Sequence, residues 1–319
     1  MIPENLIDEV EVVFGHTFRC PAVDGSKVTL PIPLAPLEPS EATLVFRCRE
    51  MRWEPCDAGC VVSGPKSPIL FGCLQDWDRG SLRDRSRNLY RRLLRETSGN
   101  HLVRLWNYIP GIHKTEGERP GYWSFNEGRY AAFQEYYGTG AWDGLLPAAT
   151  GVGAPEDAPL TILFCAARRR PEHLENPRQM SAYRYPEEHG PRPPCFARAT
   201  RLTLPGANDP LIWVAGTSSI MGHSSVGSGD VMHQLDTTLR NLDELSRLMG
   251  LGSCFLGGRW ARRVFFVYLR HPRDLEQVRA RLRERLFREG DEVRFLSAQI
   301  CRPELEVEIE ASLVPARSP

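Results

Sequence analysis

The order of predicted secondary-structure elements occurs twice along this chain of 319 residues. In each half, strands are followed by a helix, a strand, a second helix and closing strands, and the two series end near residues 165 and 313. This repeat predicts an α+β chain of two similar domains, each a mixed sheet with two helices packed on one face. We place the N-terminal domain, with an irregular β-rich leader of about 75 residues, at 1–165 and the C-terminal domain at 166–319.

Helical periodicity and capping residues define the helices of each half. Leu235, Leu239 and Leu242 follow each other at helical spacing, Asp230 is a favoured N-cap residue, and Pro272 is a favoured first residue of a helix. The four predicted helices span residues 81–97, 123–137, 230–249 and 272–287.

The composition is that of a soluble globular protein and argues against several functional classes. Lys plus Arg and Asp plus Glu both number 40, so the formal net charge is zero, which disfavours a general nucleic-acid-binding protein. No apolar run approaches the roughly 18 residues that a membrane-spanning helix needs, and the polar first residues are unlike a secretory signal. The nine cysteines are an odd number, scattered along the chain. We therefore expect reduced thiols, a cytoplasmic location and no nucleic-acid or membrane partner.

A strand near the C-terminus places acidic side chains on one face. In residues 301–310 (CRPELEVEIE), Glu306, Glu308 and Glu310 alternate with aliphatic residues, and the two-residue period of a strand puts all three on the same side. The pattern leaves two interpretations open. The glutamates form a solvated face of an edge strand, or one lies in a poorly solvated pocket, where a raised pKa suits a general acid near neutral pH.

Residues 216–224 (GTSSIMGHS) leave a predicted strand and approach a helix. Glycine allows close backbone approach and hydroxyls offer hydrogen bonds, so this segment is a candidate carboxylate site, with a tight turn that holds no ligand as the alternative. It matches neither the Walker motif nor the serine-hydrolase motif. His223 and His233 lack a carboxylate at ligand spacing, and Cys56 and Cys60 lack a second ligand pair, so we expect no metal site.

Several separate blocks of sequence resemble the chorismatase (chorismate hydrolase) family. They occur in the family's order and cover roughly residues 100–312. The blocks are residues 104–110 (RLWNYIP), 128–133 (GRYAAF), 147–153 (PAATGVG), 175–186 (ENPRQMSAYRYP), 190–191 (GP), 196–199 (FARA), 216–223 (GTSSIMGH), 229–231 (GDV) and 301–310 (CRPELEVEIE).

The resemblance implies both a fold and a reaction. It implies two fused units related to the small trimeric Rid (YjgF-type) proteins, a fold that is also chorismate-mutase-like, and we expect a monomer with internal pseudo-symmetry. It also implies a small-molecule substrate, chorismate or a similar dicarboxylate, and a reaction without a cofactor that releases the enolpyruvyl side chain as pyruvate. The second product in the family is a dihydroxycyclohexadiene carboxylate, 3-hydroxybenzoate, or 3- and 4-hydroxybenzoate together.

Carried over residue by residue, the resemblance names one acid and a set of substrate contacts. Glu308 matches the family's catalytic glutamate, and Glu310 and Glu306 rank second and third. Two substrate carboxylates call for Arg and Tyr donors. The candidate substrate-binding residues, most of them in the C-terminal domain, are Arg129, Tyr185, Arg198, Gly216, Thr217, Ser218 and Cys301.

Two departures from the family bear on the product. Ser218 stands where members usually carry Ala or Gly, and residues 226–228 (VGS) replace a turn that more typically contains histidine. Cys301 resembles the hydroxybenzoate-forming members and provides an apolar wall that helps to exclude water. We therefore expect 3-hydroxybenzoate and pyruvate, as a precursor for secondary metabolism. The alternatives are a diverged relative that binds or transforms another small carboxylate, and a Rid-type imine deaminase.

Overall fold

The computed structural model describes residues 6–15, 20–41, 43–56, 58–64, 67–117, 119–139, 142–255, 257 and 259–316. Within these residues the helices are α1 (Leu82–Glu96), α2 (Gly121–Tyr137), α3 (Val231–Leu248) and α4 (Leu275–Arg285). No helix in this described part of the chain is both long enough and apolar enough to cross a membrane.

The strands fall into two large sheets and two short hairpins. Strands of the first half are β1 (Leu6–Phe14), β2 (Ala22–Asp24), β3 (Lys27–Ile32), β4 (Ala35–Pro36), β5 (Thr43–Cys56), β6 (Gly59–Ser63), β7 (Ile69–Asp76), β8 (His101–Pro110), β9 (Thr115–Glu116), β10 (Arg119–Pro120), β11 (Ala148–Ala154) and β12 (Leu160–Ala167). Strands of the second half are β13 (Glu172–Leu174), β14 (Ala199–Leu202), β15 (Leu211–Ser218), β16 (Ile220–Met221), β17 (Ser224–Ser225), β18 (Trp260–Leu269), β19 (Glu292–Ser297) and β20 (Val307–Pro315).

The first large sheet has the strand order β11-β8-β12-β7-β6-β5-β1-β3-β2, and the second has the order β13-β14-β15-β20-β18-β19-β4. Helices α1 and α2 cover one face of the first sheet, and α3 and α4 cover one face of the second. The prediction of an α+β chain with two similar halves, each a mixed sheet with two helices packed on one face, is confirmed.

The faces without helices pack against each other and form a shared core. Trp106 and Tyr108 of β8 lie in the same apolar cluster as Phe266 and Tyr268 of β18. Because both faces of β20 are covered in this way, its glutamates are removed from bulk water. The interpretation of these glutamates as a solvated face of an edge strand is therefore wrong, since β20 lies between β15 and β18 in the centre of its sheet.

Local sequence accounts for the helices that carry this packing. Helix α1 begins after Ser81, whose hydroxyl accepts a hydrogen bond from the Asp84 amide at 3.2 Å, and it buries its leucine side against the sheet. Helix α3 begins after Asp230, whose Oδ1 accepts from the amides of Met232 and His233 at 3.0 and 2.9 Å. The cap predicted at Asp230 is confirmed.

Several element boundaries differ from the sequence prediction. Pro272–Asp274 forms a 3-10 turn, so α4 starts at Leu275. The helix ends at Arg285, where the Phe287 amide shares the Leu282 carbonyl with the Leu286 amide and the α-helical hydrogen-bond pattern stops.

The N-terminal leader is more regular than expected. Strands β1 and β5 extend the first sheet, while β4 pairs with β19 in the second. Apart from β4, the strands of the first large sheet end with β12, and those of the second begin with β13. The domain boundary at residues 165 and 166 stays a prediction.

Candidate active site

A cavity of about 360 Å³ lies where the two halves meet. Strand ends and the loop before α2 provide one wall, and the long irregular segment before β14 provides the opposite wall. Its lining includes Tyr122, Arg129 and Thr150 from the first half and Tyr185, Arg198 and Glu308 from the second. The cavity therefore brings together residues that are far apart in the sequence.

Glu308 is held at the inner wall of this cavity by the strands on both sides of β20. It is opposite Ser218 of β15 and Tyr268 of β18, and its side chain is buried. The Ser218 hydroxyl donates a hydrogen bond to Glu308 Oε2 at 2.9 Å. A Cβ atom on Gly216 would overlap the Glu308 carboxyl group, so the close approach of β15 requires glycine there.

Burial dominates the electrostatics of Glu308. It raises the pKa of the carboxyl group to about 7, although the hydrogen bond from Ser218 stabilises the ionised form and opposes the shift. A carboxyl group with this pKa is present in both protonation states near neutral pH. Glu308 can therefore donate a proton to a group in the cavity and take one back.

Glu310 lies two residues further along β20 and has a different environment. Its Oε2 accepts from Arg104 Nη2 at 2.8 Å and from the Thr150 hydroxyl, and its Oε1 accepts from Trp106 Nε1 at 2.6 Å. Arg104 is fully buried. Glu310 does not line the cavity and forms a buried ion pair between the two sheets.

Glu306, the third predicted glutamate, precedes β20. Its backbone amide donates to the side chain of Gln234 at 2.8 Å, and the residue does not line the cavity.

Two predicted arginines line the cavity at separate points. Arg198 donates to the Tyr185 hydroxyl at 2.8 Å and to the Met180 carbonyl at 2.9 Å, while its buried Nε has no hydrogen-bond partner among the described residues. Arg129 is fully buried and donates to Asn126 Oδ1 at 2.7 Å. Both side chains bring positive charge to a site with little access to water.

Of the predicted carboxylate segment 216–224, the first three residues are part of strand β15, and the remainder forms the turn of β16 and β17. Gly216 and Ser218 line the cavity, whereas Thr217 points to the other side of the strand and donates to the Ala215 carbonyl at 2.9 Å. The Gly216 amide already donates to Thr150 Oγ1 at 2.9 Å. The alternation of a strand thus separates Thr217 from the other two residues.

Cys301 lines the cavity close to Glu308. Burial, with a smaller contribution from the Glu308 charge, raises the pKa of its thiol to about 12. The thiol is therefore neutral at physiological pH and acts as a small apolar wall.

Some residues of the cavity were not found from the sequence. The guanidinium of Arg302 lies over the Tyr185 ring, with 5.4 Å between the guanidinium carbon and the ring centroid, and one buried nitrogen, Nη2, has no hydrogen-bond partner among the described residues. Arg302 follows Cys301 in the block 301–304 (CRPE), and this position could have predicted that it lines the cavity. Tyr122 and Trp123 also line the cavity, but they follow a loop without any periodic pattern.

Comparison with known proteins identifies the family. Residues 48–166 match the family model "Chorismatase FkbO/Hyg5-like, N-terminal". A chorismatase of Streptomyces rapamycinicus is 39% identical over 219 residues, which are 66% of this chain and 63% of the relative. A 3-hydroxybenzoate synthase and a chorismatase of Streptomyces hygroscopicus are 35% and 34% identical and cover 68% and 76% of this chain. The chain belongs to the chorismatase family.

The matched segments span 63%, 65% and 70% of the lengths of these three relatives. A solved chorismatase structure superimposes on this chain with a TM-score of 0.83 and 28% sequence identity. The superposition covers 98% of this chain and 93% of the solved chain. The family resemblance inferred from the sequence blocks is thus confirmed, and the fold of this chorismatase-family chain is that of a solved family member.

Proposed function

We propose that this protein converts chorismate by protonating its enol ether and releasing pyruvate. The observation that carries the proposal is Glu308, a buried carboxyl group with a pKa of about 7 in a cavity that also contains arginine side chains. Protonation of a carbon atom requires an acid that is still protonated near neutral pH and is positioned against the substrate.

The charge of the cavity fits a substrate with two carboxylates. Arg129 and Arg198 approach it from the two halves of the chain, and Arg302 adds a third guanidinium. The unpartnered buried nitrogens of Arg198 and Arg302 are donors that a ligand carboxylate can satisfy. Charge-assisted hydrogen bonds of this kind offset the cost of removing the carboxylates from water.

The first chemical step is transfer of the Glu308 proton to the terminal methylene carbon of the enol ether. This step leaves a Glu308 carboxylate and a methyl-substituted oxocarbenium ion. The Ser218 hydroxyl, which donates to Glu308 at 2.9 Å, stabilises the carboxylate as it forms. The neighbouring ring hydroxyl then attacks the oxocarbenium carbon and returns its proton to Glu308.

The later steps of this route give 3-hydroxybenzoate. Glu308 donates its proton to the oxygen of the attacking hydroxyl as the bond from this oxygen to the ring breaks. The Glu308 carboxylate then takes the proton of the adjacent ring carbon, and the ring becomes aromatic. The resulting hemiketal splits into 3-hydroxybenzoate and pyruvate as its hydroxyl proton passes to the phenol oxygen. The two products together contain the atoms of chorismate, so no water is consumed. Attack by water on the oxocarbenium ion would instead consume one water and give a dihydroxycyclohexadiene carboxylate.

The choice between these routes depends on water near the reacting ring. The neutral thiol of Cys301 forms part of the wall, and the Ser218 hydroxyl donates its proton to Glu308 rather than to a water. Both features favour attack by the ring hydroxyl. A relative with 35% identity is a 3-hydroxybenzoate synthase, which supports the same product.

Incubation of the purified protein with chorismate tests the proposal. Pyruvate is measured with lactate dehydrogenase, the aromatic product is identified by chromatography, and Glu308→Gln serves as the control. We expect equal amounts of pyruvate and 3-hydroxybenzoate. A non-aromatic diene would overturn the assigned product, and the absence of pyruvate would overturn chorismate as the substrate.

A further inference from the structure

Three potential metal ligands meet at one edge of the cavity. Glu188 Oε1 lies 3.3 Å from His189 Nε2 and 3.2 Å from His223 Nδ1, and the two histidine nitrogens are 3.0 Å apart. Glu188 and His189 also line the cavity. Without a metal the two histidine nitrogens are within hydrogen-bond distance of each other, so binding of an ion displaces the proton between them. The three potential ligand atoms form a nearly equilateral triangle, which we call the EHH cluster.

The backbone on both sides of the EHH cluster is fixed by hydrogen bonds. Glu188 and His189 belong to a 3-10 turn that Gly190 closes by donating to the Glu187 carbonyl at 2.9 Å. His223 lies in the tight turn between β16 and β17, where Gly222 adopts a φ of +57°. The Gly222 amide and carbonyl are both bonded to the 178–180 segment, at 2.9 Å each. Main-chain hydrogen bonds therefore fix the two turns that carry the three ligand side chains.

The dimensions of the EHH cluster match one face of a tetrahedral metal site. Ligand atoms that are each about 2.0–2.1 Å from a zinc ion in tetrahedral geometry are about 3.3–3.4 Å from one another. The Glu188–His189 separation of 3.3 Å falls in this range, and the other two, at 3.2 and 3.0 Å, are shorter. Two imidazoles with one carboxylate form a ligand set that zinc uses with one position left open.

We propose that the EHH cluster is a binding site for a divalent transition-metal ion, of which Zn²⁺ is the best match. Imidazole ligands favour such ions over Mg²⁺ and Ca²⁺, which prefer oxygen. The ion lies at the edge of the cavity, with at least one coordination position open to water or to the carboxylate of a small molecule.

The surroundings leave the site accessible and electrostatically suitable. The side chains of Glu188 and His223 are 62% and 33% exposed, so an ion can enter from solvent. The nearby Arg302 donates to Ser225 Oγ at 3.0 Å, and Ser225 Oγ in turn donates to Glu304 at 2.6 Å. The Glu304 carboxylate thus offsets part of the arginine charge next to the site.

Isothermal titration of the full chain with ZnCl₂ tests this proposal without reference to catalysis. All proteins carry Cys20→Ser, because this exposed free thiol would bind zinc by itself. We expect one ion per chain, and we expect His189→Ala and His223→Ala each to weaken binding ~10-fold or more. His101→Ala removes an exposed histidine outside the site and should leave the affinity unchanged.

Glu188→Gln changes the most exposed of the three ligands and therefore tests the site even if removal of a histidine disturbs folding. This variant should also bind Zn²⁺ more weakly than the parent. Thermal unfolding of each variant without metal identifies any loss of structure. No stoichiometric binding by the parent, or equal binding by the parent, Glu188→Gln and the folded histidine variants, would overturn the proposal.

Discussion

Glu308 and Glu310 are two residues apart on the same strand, yet the surroundings of their carboxyl groups are opposite in kind. Glu310 accepts from a fully buried arginine, an indole and a hydroxyl. Glu308 accepts one hydrogen bond, from the neutral hydroxyl of Ser218, and it faces the cavity. One carboxylate is thus fixed in an ion pair that joins the sheets, while burial raises the pKa of the other to about 7.

The comparison shows that spacing along a strand does not assign a role to a carboxylate. The alternating pattern places both glutamates on one face, and their neighbours in the opposite sheet then separate them. A paired buried glutamate stabilises the fold, and a glutamate without a cationic partner can exchange a proton.

The largest effect should come from breaking the buried pair. Arg104→Met leaves Glu310 buried without its cation, and we expect a loss of about 3–5 kcal/mol in the free energy of unfolding. Urea denaturation measures the change. Arg184→Met, which removes a surface pair with Asp143, should cost no more than about 1 kcal/mol. Equal losses in the two variants would show that the Arg104 pair contributes no more than a surface contact.

Removal of the proton donor should affect turnover rather than stability. Glu308→Gln keeps the shape of the side chain but has no acidic proton, so we expect turnover of chorismate to fall ~10²-fold or more with folding retained. Glu306→Gln, which lies just before β20 and outside the cavity, is the matched control and should retain parental activity. Near-parental turnover by Glu308→Gln would assign the acid to another residue.

Loss of a cavity arginine should weaken substrate binding. Arg198→Ala removes a donor that we propose binds a substrate carboxylate. We expect KM to rise ~10-fold or more, in line with the value of a charge-assisted hydrogen bond. Steady-state kinetics on the folded variant measures the effect. Arg201→Ala, which removes a surface partner of Glu172, should leave KM unchanged, and an unchanged KM in Arg198→Ala would make that residue structural.

The smallest effect concerns the hydrogen bond from Ser218. This bond stabilises the carboxylate of Glu308 and lowers its pKa, so Ser218→Ala should raise that pKa. Since the acid must be protonated to act, activity falls as pH rises past the pKa, and the alkaline limit of turnover should move upward by about one pH unit. Thr217→Val, which changes the neighbouring side chain on the opposite side of β15, should leave the pH profile in place.

Patterns that depend on local order could be predicted from the sequence. The repeated series of helices and strands and the cap at Asp230 follow from periodicity and capping chemistry. The resemblance blocks named seven of the cavity residues, including Glu308. Within the leader, Val10, Val12 and Phe14 alternate with Glu9 and Glu11, so the sequence also contains a signal for strand β1.

Contacts between distant segments could not be predicted in this way. Arg104 and Glu310 are 206 positions apart, and no spacing rule connects them. His223 lacked a carboxylate at ligand spacing because Glu188 reaches it only through the fold. The position of β20 between two strands, with the other sheet packed over it, decides that its glutamates are buried, and sequence alternation alone does not contain that information.

The protonation state of Glu308 in the ligand-free protein tests the central claim most directly. Infrared difference spectra of the parent and Glu308→Gln, recorded across the pH range, isolate the carboxyl band of this residue. The subtraction also removes the signal of Glu175, which lies outside the cavity lining. Burial raises the pKa of Glu175 to about 7 as well. The structure predicts a protonated carboxyl band that disappears with a midpoint near pH 7. A midpoint near the ordinary glutamate value of about 4.3 would contradict the assignment of Glu308 as the general acid.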